Sequence, residues 1–466
     1  MSGFFGAIAK SEVVTDVFYG TDYHSHLGTK RAGMAFIKDG EYSRAIHSLD
    51  NAYFRNKFES DLEKFSGNAG IGVISDTDSQ PILVNSHLGK FALVTVSKIN
   101  NSDELTKKFL DKGMQFVETS QNFTNPTELV AKLICEADDF VNGIINVYDS
   151  IKGSCSLLIL RDEEIIAARD KLGRTPIILG KKDQAFALAS ETSAFPNLGY
   201  EIEHYLGAGE IIKVNADGYE TLKPAYEKSQ ICSFLWVYYG YPTSNYEGIN
   251  VDESRYRCGA ALADRDEVNP DFVCGIPDSG VGHAYGYSNQ KKVPYKRAYS
   301  KYTPTWPRSF MPQDQKTRSL VARMKLIPNK DLVLDQKMVF LDDSIVRGTQ
   351  LSDNTKDLYD NGAKEVHMRI ACPPLTFPCM YLNFSQSRST MELATRKAIM
   401  KLEGEIKHLD EYSDPSTDRY KAMVDQIAKD LGLDSLMYQD LPDLVEAIGI
   451  PKEKLCTHCW DGSSYF

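Results

Sequence analysis

Two rhythms of apolar and polar residues divide the chain. Up to about residue 225, short apolar runs recur between turn residues: "GIGVIS", "PILVNS", "FALVTVS", "SCSLLIL", "EIIAARD", "TPIILG", "AFALAS" and "GEIIKV". Runs of this length, bounded by Gly, Pro, Ser and Asp, predict many short strands joined as hairpins in packed sheets. "TELVAKLICEADDFVNGI" has helical spacing instead and predicts a helix among them. From about residue 230 strand-like and helix-like segments alternate: "ESRYRCGAALADRD", "FVCGIPDSG", "VGHAYGYSNQ", "KMVFLDD", "LSDNTKDLYDNGA", "EVHMRIA". Such alternation predicts a parallel sheet with ligand loops at the carboxyl ends of its strands. "KSQICSF" marks the change, so the reading is two domains, 1–229 and 230–466. After "CPPLTFPCMYLNF", "TMELATRKAIMKLEGEIKHL" and "MVDQIAKDLGLDSL" predict a charged helical tail, and no internal repeat is evident.

Within the second domain one loop stands out. "VFLDDSIVRGTQ" (339–350) ends a buried strand and opens a helix that stops at a glycine. Free backbone N–H groups and the helix dipole favour an anion there. Gly348 allows close backbone approach, and Ser344 and Thr349 add hydroxyl donors. Asp342 and Asp343 would repel phosphate, so they suit sugar hydroxyls or a bound cation beside it. A phosphorylated sugar is the ligand that uses both halves. "GIPDSG" offers Asp278, Ser279 and Gly280 on a second turn into a helix, which serves either as an anion cradle or as a plain structural turn. The Pro-broken, basic and aromatic stretch 301–326 reads as a lid or as a solvated loop.

Composition narrows the partners. At 466 residues, 42% apolar and 25% charged, the chain is globular and long enough for two cores. Its formal charge of −11 argues against nucleic acid or an anionic membrane as the main partner. No apolar stretch approaches the roughly 20 residues of a membrane span, and "MSGFFGAIAKSEVV" lacks a basic signal-peptide start. A cytoplasmic protein with small-molecule ligands is expected. Nine cysteines are too sparse for a disulfide framework. "CTHC" (Cys456, Cys459) leaves redox chemistry and metal ligation both open.

These pieces together resemble the type I phosphoribosyltransferases, and among them the glutamine phosphoribosylpyrophosphate amidotransferase family. "VFLDDSIVRGTQ" is similar to that family's phosphoribosylpyrophosphate signature, and "GIPDSG" to its pyrophosphate loop. "PRSFMPQDQKTRSLVARMKLIP" resembles its mobile loop, with Arg308 and Lys325 at matching basic positions; "KYTPTWPRSF" departs from the family's usual lid. "AARDKLGRTPIILGKKDQAFALASETSAF" and "GAGEIIKV" resemble its N-terminal half. The resemblance implies an α+β N-terminal domain, an Ntn-hydrolase-like αββα sandwich, and an α/β type I phosphoribosyltransferase domain with a parallel sheet. It implies that Ser344, Val346, Arg347, Gly348 and Thr349 hold the 5′-phosphate, and that Asp342 and Asp343 hold the ribose hydroxyls with Mg²⁺. Asp278, Ser279, Gly280 and Arg308 would face the pyrophosphate. It further implies a [4Fe–4S] cluster on Cys232, Cys379, Cys456 and Cys459, with Cys135, Cys155, Cys258, Cys274 and Cys372 left as core, and a homodimer or homotetramer.

The first domain departs from the family. Its nucleophile there is an N-terminal cysteine whose α-amine acts as base; here Ser2 holds that place behind Met1. The family's "HRG" segment is "YHSHLGTKRAG", with Leu27 at the arginine, and the "GIGHTRYST" strand that carries the glutamine-carboxylate clamp is "GIGVISDTD". The "HNGN" oxyanion segment is "TVSKINN", and "SDTE", whose aspartate pairs with the glutamine amine, is "NPTE". The expectation is an amidophosphoribosyltransferase of purine biosynthesis that uses ammonia rather than glutamine. The alternatives are a glutamine-dependent enzyme working through Ser2, and a catalytically silent sensor of phosphoribosylpyrophosphate or nucleotides that regulates a partner.

Overall fold

The structure, a computed structural model, describes residues 2–50, 52–120, 123–302, 326–382 and 390–464. Residues 3–223 form two antiparallel sheets packed face to face. One has seven strands in the order Glu201–Tyr205, Ile178–Lys182, Ala185–Ala189, Gly3–Ala9, Ala69–Ser75, Arg31–Lys38, Glu41–Ser48. The other has six, in the order Tyr219–Lys223, Ile211–Val214, Glu164–Ala168, Gly153–Arg161, Gly89–Ile99, Ile82–Ser86. Successive strand residues point to opposite faces. Along Gly89–Ile99, Ala92, Val94 and Val96 enter the layer between the sheets, while Phe91 and Leu93 pack outward under the helices Pro126–Ile134 and Phe140–Ser150. Leu158 and Leu160 divide from Leu157 and Ile159 in the same way. On the far side, helix Val14–Asp22 covers Phe5, Met34 and Phe36. The sandwich is therefore helix, sheet, sheet, helix, and strands buried on both faces read as unbroken apolar runs.

The helix expected across 127–144 is two helices. Pro126–Ile134 ends at Cys135, and Asp139 caps the second by accepting from the backbone N–H of Asn142. The acidic "EADD" that joins them carries no apolar stripe, and an aspartate so placed starts a helix rather than continuing one. Cys135, expected in the core, is only half-buried at this turn, whereas Cys155, Cys258, Cys274 and Cys372 are buried.

The second domain holds a four-stranded parallel sheet in the order Phe272–Gly275, Lys337–Asp342, Glu365–Ile370, Ser435–Tyr438. Helices Val251–Arg265 and Val281–Lys291 cover one face through Leu262, Ala284 and Tyr287. Helices Thr349–Asp360 and Asp418–Leu431 cover the other through Leu351, Met423 and Ile427. The helical tail expected after residue 390 is thus corrected: Ser435–Tyr438 returns to the sheet as its edge strand, and helix Ala394–Glu403 packs beside Asp418–Leu431. Among the described residues, no helix is long and apolar enough to cross a membrane.

Candidate active site

Lys337–Asp342 lies inside the parallel sheet, flanked by strands on both sides, so its carboxyl end is held firmly. Asp342 and Asp343 close it, and the chain then loops to Gly348, whose φ of 77° a side chain would oppose, before helix Thr349–Asp360. The adjacent strand Phe272–Gly275 leads into Asp278, Ser279 and Gly280 and then helix Val281–Lys291. The two loops meet. The Ile276 N–H donates to the Leu341 carbonyl at 2.8 Å, and a Cβ at Gly280 would lie 2.0 Å from that same oxygen. The Ser279 hydroxyl donates to Asp342 Oδ1 at 3.0 Å, and the Ser344 hydroxyl donates to Asp343 Oδ2 at 2.6 Å. Burial, and then the charge of Asp343, push the Asp342 carboxyl well above its ordinary range. Two carboxylates brought this close gain from a cation or from hydroxyl donors between them.

Several charges frame this end of the sheet. Lys301 pairs with Asp278 at 2.6 Å, from a short ribbon in which Tyr299–Lys301 runs antiparallel to Leu326–Pro328. Arg347 is exposed and pairs with Glu392 at 2.8 Å, while Val346 accepts the Ala394 N–H. Arg308 and Lys325 lie outside the described residues. The buried Arg255 donates to the carbonyls of Trp236, Tyr238 and Gly240; burial pushes its guanidinium below the ordinary range, and the charge of Asp343 opposes that shift. The sequence reading did not single out Arg255 or Lys301, because an arginine in an amphipathic helix and a lysine beside a turn carry no motif.

The four cysteines converge where the two domains meet. Ile231–Cys232 and Leu455–Cys456 pair as short parallel strands, with Cys232 opposite Cys456. Cys459 follows on helix His458–Asp461 and hydrogen-bonds the Cys379 thiol, which this bond, opposed by burial, holds below its ordinary range. The backbone N–H groups of Tyr381 and Leu382 also donate to Cys379 Sγ, at 3.5 and 3.3 Å. Among the described residues, no three metal-ligating side chains are close enough to hold a single ion. Four thiols thus meet at this junction, Cys232 and Cys459 buried and Cys379 and Cys456 half-buried, a donor set of the number and type that would suit an iron–sulfur cluster.

In the first domain, Ser2 is buried at the start of the central strand, and its hydroxyl donates to Ser75 Oγ at 3.2 Å. Ser75 in turn donates to Asp78, a buried carboxylate that also accepts from Thr77, Gln80 and Thr127. Leu27 and His24 crowd Gly3 closely enough that a Cβ there would meet them at 2.7 and 2.9 Å.

Comparison with known proteins agrees with this architecture. A glutamine amidotransferase domain profile matches residues 69–197. The amidophosphoribosyltransferase of Methanothermobacter thermautotrophicus is 30% identical over 99% of this chain and 93% of its own. That of Methanocaldococcus jannaschii is 30% identical over 99% of this chain and 97% of its own. Among solved structures, the glutamine phosphoribosylpyrophosphate amidotransferase of B. subtilis, complexed with ADP and GMP, superposes with a TM-score of 0.86 at 27% identity, covering 99% of this chain and 97% of that one. With similarity running through both domains and nearly the whole length, the chain belongs to the amidophosphoribosyltransferase family and carries that family's glutamine amidotransferase-type domain.

Proposed function

We propose that the chain transfers ammonia to phosphoribosylpyrophosphate, giving 5-phosphoribosylamine and pyrophosphate for purine biosynthesis. The observation that carries this reading is the acid pair Asp342 and Asp343, tied through Ser279 to the neighbouring loop. That arrangement gives ribose hydroxyls, a phosphate and a leaving pyrophosphate three adjoining places. Ser344, Val346, Arg347, Gly348 and Thr349 hold the 5′-phosphate at the helix start. Asp342 and Asp343 hold the ribose hydroxyls, with Mg²⁺ beside them. Asp278, Ser279 and Gly280 face the pyrophosphate, and Arg308, outside the described residues, is assigned to the same ligand on its sequence position alone. The magnesium ion, when bound, offsets the charge of the departing pyrophosphate. The chain contributes position and charge: a C–N bond forms at the anomeric carbon as the C–O bond to pyrophosphate breaks. Cys232, Cys379, Cys456 and Cys459 hold a [4Fe–4S] cluster that ties the chain's last segment to the junction, and the domains divide near residue 229.

The first domain keeps its fold without the glutaminase chemistry. Three substitutions support this. Ser75 stands at the sixth position of the strand motif, where the family carries its arginine, and hydrogen-bonds Ser2. Leu27 packs on Gly3 where the helix segment would bring an arginine. Pro126 occupies the aspartate position of "NPTE". A glutamine zwitterion there lacks the partners its carboxylate and ammonium need, and desolvating them unpaired costs several kcal/mol, on the order of the penalty for buried unpaired ions.

The test is pyrophosphate release from phosphoribosylpyrophosphate and Mg²⁺, with ammonium or with glutamine, beside Asp342→Asn/Asp343→Asn. Release with ammonium alone, lost in the variant, is the expected result. Release with glutamine refutes the reading of the first domain. No release with either amine refutes the transfer reaction and leaves a sugar-phosphate sensor.

A further inference from the structure

The turn that carries Cys379 is held from the other domain in an unusual way. The backbone carbonyls of four consecutive residues each accept a hydrogen bond from a side chain of the antiparallel sandwich. The Lys98 ammonium donates to the Cys379 carbonyl at 2.6 Å and to that of Leu382 at 3.4 Å. Asn100 donates to the Met380 carbonyl at 2.6 Å, and Ser154 donates to that of Tyr381 at 2.5 Å. Lys98 and Ser154 sit opposite each other on paired strands, and Asn100 follows two residues on, so the three donors share one sheet end. The Tyr381 ring lies under the Arg174 guanidinium at 3.5 Å, and its hydroxyl meets Ser464 at 2.6 Å. With the carbonyls turned to the sandwich, the N–H groups of Tyr381 and Leu382 turn to Cys379 Sγ.

We propose that Lys98, Asn100 and Ser154 form a clasp that positions Cys379 as a cluster ligand, making the first domain part of the cluster's support. The inference rests on the four-cysteine reading above. Lys98 and Asn100 belong to "TVSKINN", the segment at the place of the family's oxyanion motif, so a stretch without its catalytic donors has a structural task. The clasp acts twice. Its ammonium, amide and hydroxyl fix the carbonyls of the turn, and the turn's two N–H groups reach the sulfur. Hydrogen bonds to cluster sulfurs are a recognised determinant of cluster potential and retention. These three residues position a ligand and touch no substrate.

Parent and Lys98→Met/Asn100→Ala chains are reconstituted anaerobically with ferric iron, sulfide and a thiol reductant. Iron per chain is measured, then the decay of the cluster's visible absorbance under a ferrous chelator. The parent is expected to hold about four irons. The variant is expected to lose them about tenfold faster, the scale at which outer partners of metal ligands act. Lys98→Arg should restore most of the retention, and the variant's reduction potential should fall. Equal decay in parent and variant overturns the clasp. A parent that takes up no iron overturns the cluster reading instead. The clasp is then judged by amide hydrogen exchange over 378–382, where unchanged exchange in the variant overturns it. If circular dichroism shows the double variant unfolded, Ser154→Ala takes its place: faster iron loss than the parent supports the clasp, and equal loss overturns it.

Discussion

Replacing Gly280 with alanine tests how tightly the loops that follow strands Phe272–Gly275 and Lys337–Asp342 are joined. Gly280 has an ordinary φ of −81°, so the substitution brings no backbone strain of its own. Its cost comes from space. The new methyl would sit 2.0 Å from the Leu341 carbonyl oxygen and 2.8 Å from the Ile276 nitrogen, both main-chain atoms that cannot swing aside. Real Cβ contacts essentially never fall below 3.0 Å, so one loop must retreat by about 1 Å. Leu341 precedes Asp342 in an inner strand, so the retreat falls on the "GIPDSG" loop. That movement opens the Ile276-to-Leu341 hydrogen bond and the Ser279-to-Asp342 bond together. Overpacking of this kind costs about 1–3 kcal/mol of stability. A displacement of about 1 Å at a reacting centre costs on the order of a hundredfold in rate. The assay is pyrophosphate release with ammonium, as kcat/KM for phosphoribosylpyrophosphate, alongside a guanidinium unfolding midpoint. The expected result is a loss near a hundredfold with a modest midpoint shift, and Ser279→Ala should fall between parent and Gly280→Ala. Activity within about threefold of the parent, at an unchanged midpoint, would mean that the loops do not act as one unit and that the positioning argument fails.

Three further outcomes follow from the same geometry. Gly348→Val places a β-branched residue at φ 77° and should cost about 1–3 kcal/mol while raising KM for phosphoribosylpyrophosphate; both are read by denaturation and by initial rates. Removing Mg²⁺ with a chelator should abolish pyrophosphate release, and added Mg²⁺ should restore it while leaving the circular dichroism spectrum unchanged, since Asp342 and Asp343, the acids proposed to hold it, also have protein partners. The buried Asp266 is pushed up by burial but held below its ordinary range by Arg369, which donates to both of its oxygens, at 2.5 and 2.9 Å. A depressed carboxyl stabilises the fold above its unfolded value of about 4 and loses that contribution as pH falls through the folded value. Asp266→Asn should therefore cost about 3–5 kcal/mol at neutral pH, and the gap between parent and variant should narrow below about pH 4 in denaturant titrations.

What was legible in the chain depended on how local each signal was. The strand–acid–acid–loop–helix segment is contiguous, so its residues could be placed before any fold was known, and they lie at the carboxyl end of an inner strand. The sandwich strands were readable because burial on both faces writes an unbroken apolar run. The edge strand Ser435–Tyr438 was missed: its burial is mostly partial, and it follows a strongly amphipathic helix, so nothing in its own composition announces a sheet. The split at residues 135–139 turned on one aspartate cap inside an otherwise continuous helical pattern. Lys98, Asn100 and Ser154 were illegible for a different reason. Their partners lie more than two hundred residues away in sequence, and only the fold brings them together.

The pairing of Ile231–Cys232 with Leu455–Cys456 also sets a schedule for biosynthesis. Every strand of the sandwich precedes residue 231, so that domain can complete itself while the remainder is still being translated. The linker strand must then wait for its partner, and at ordinary elongation rates of about 5–20 residues per second the interval is about 10 to 45 seconds. During it Cys232 lacks Cys456 and Cys459, and a ribosome-bound intermediate presents a thiol to whatever oxidant or metal is at hand. Closure of the junction therefore waits for synthesis of residue 456, and a stalled or frameshifted message that ends before residue 455 carries every strand of the first domain but leaves Ile231–Cys232 without its partner.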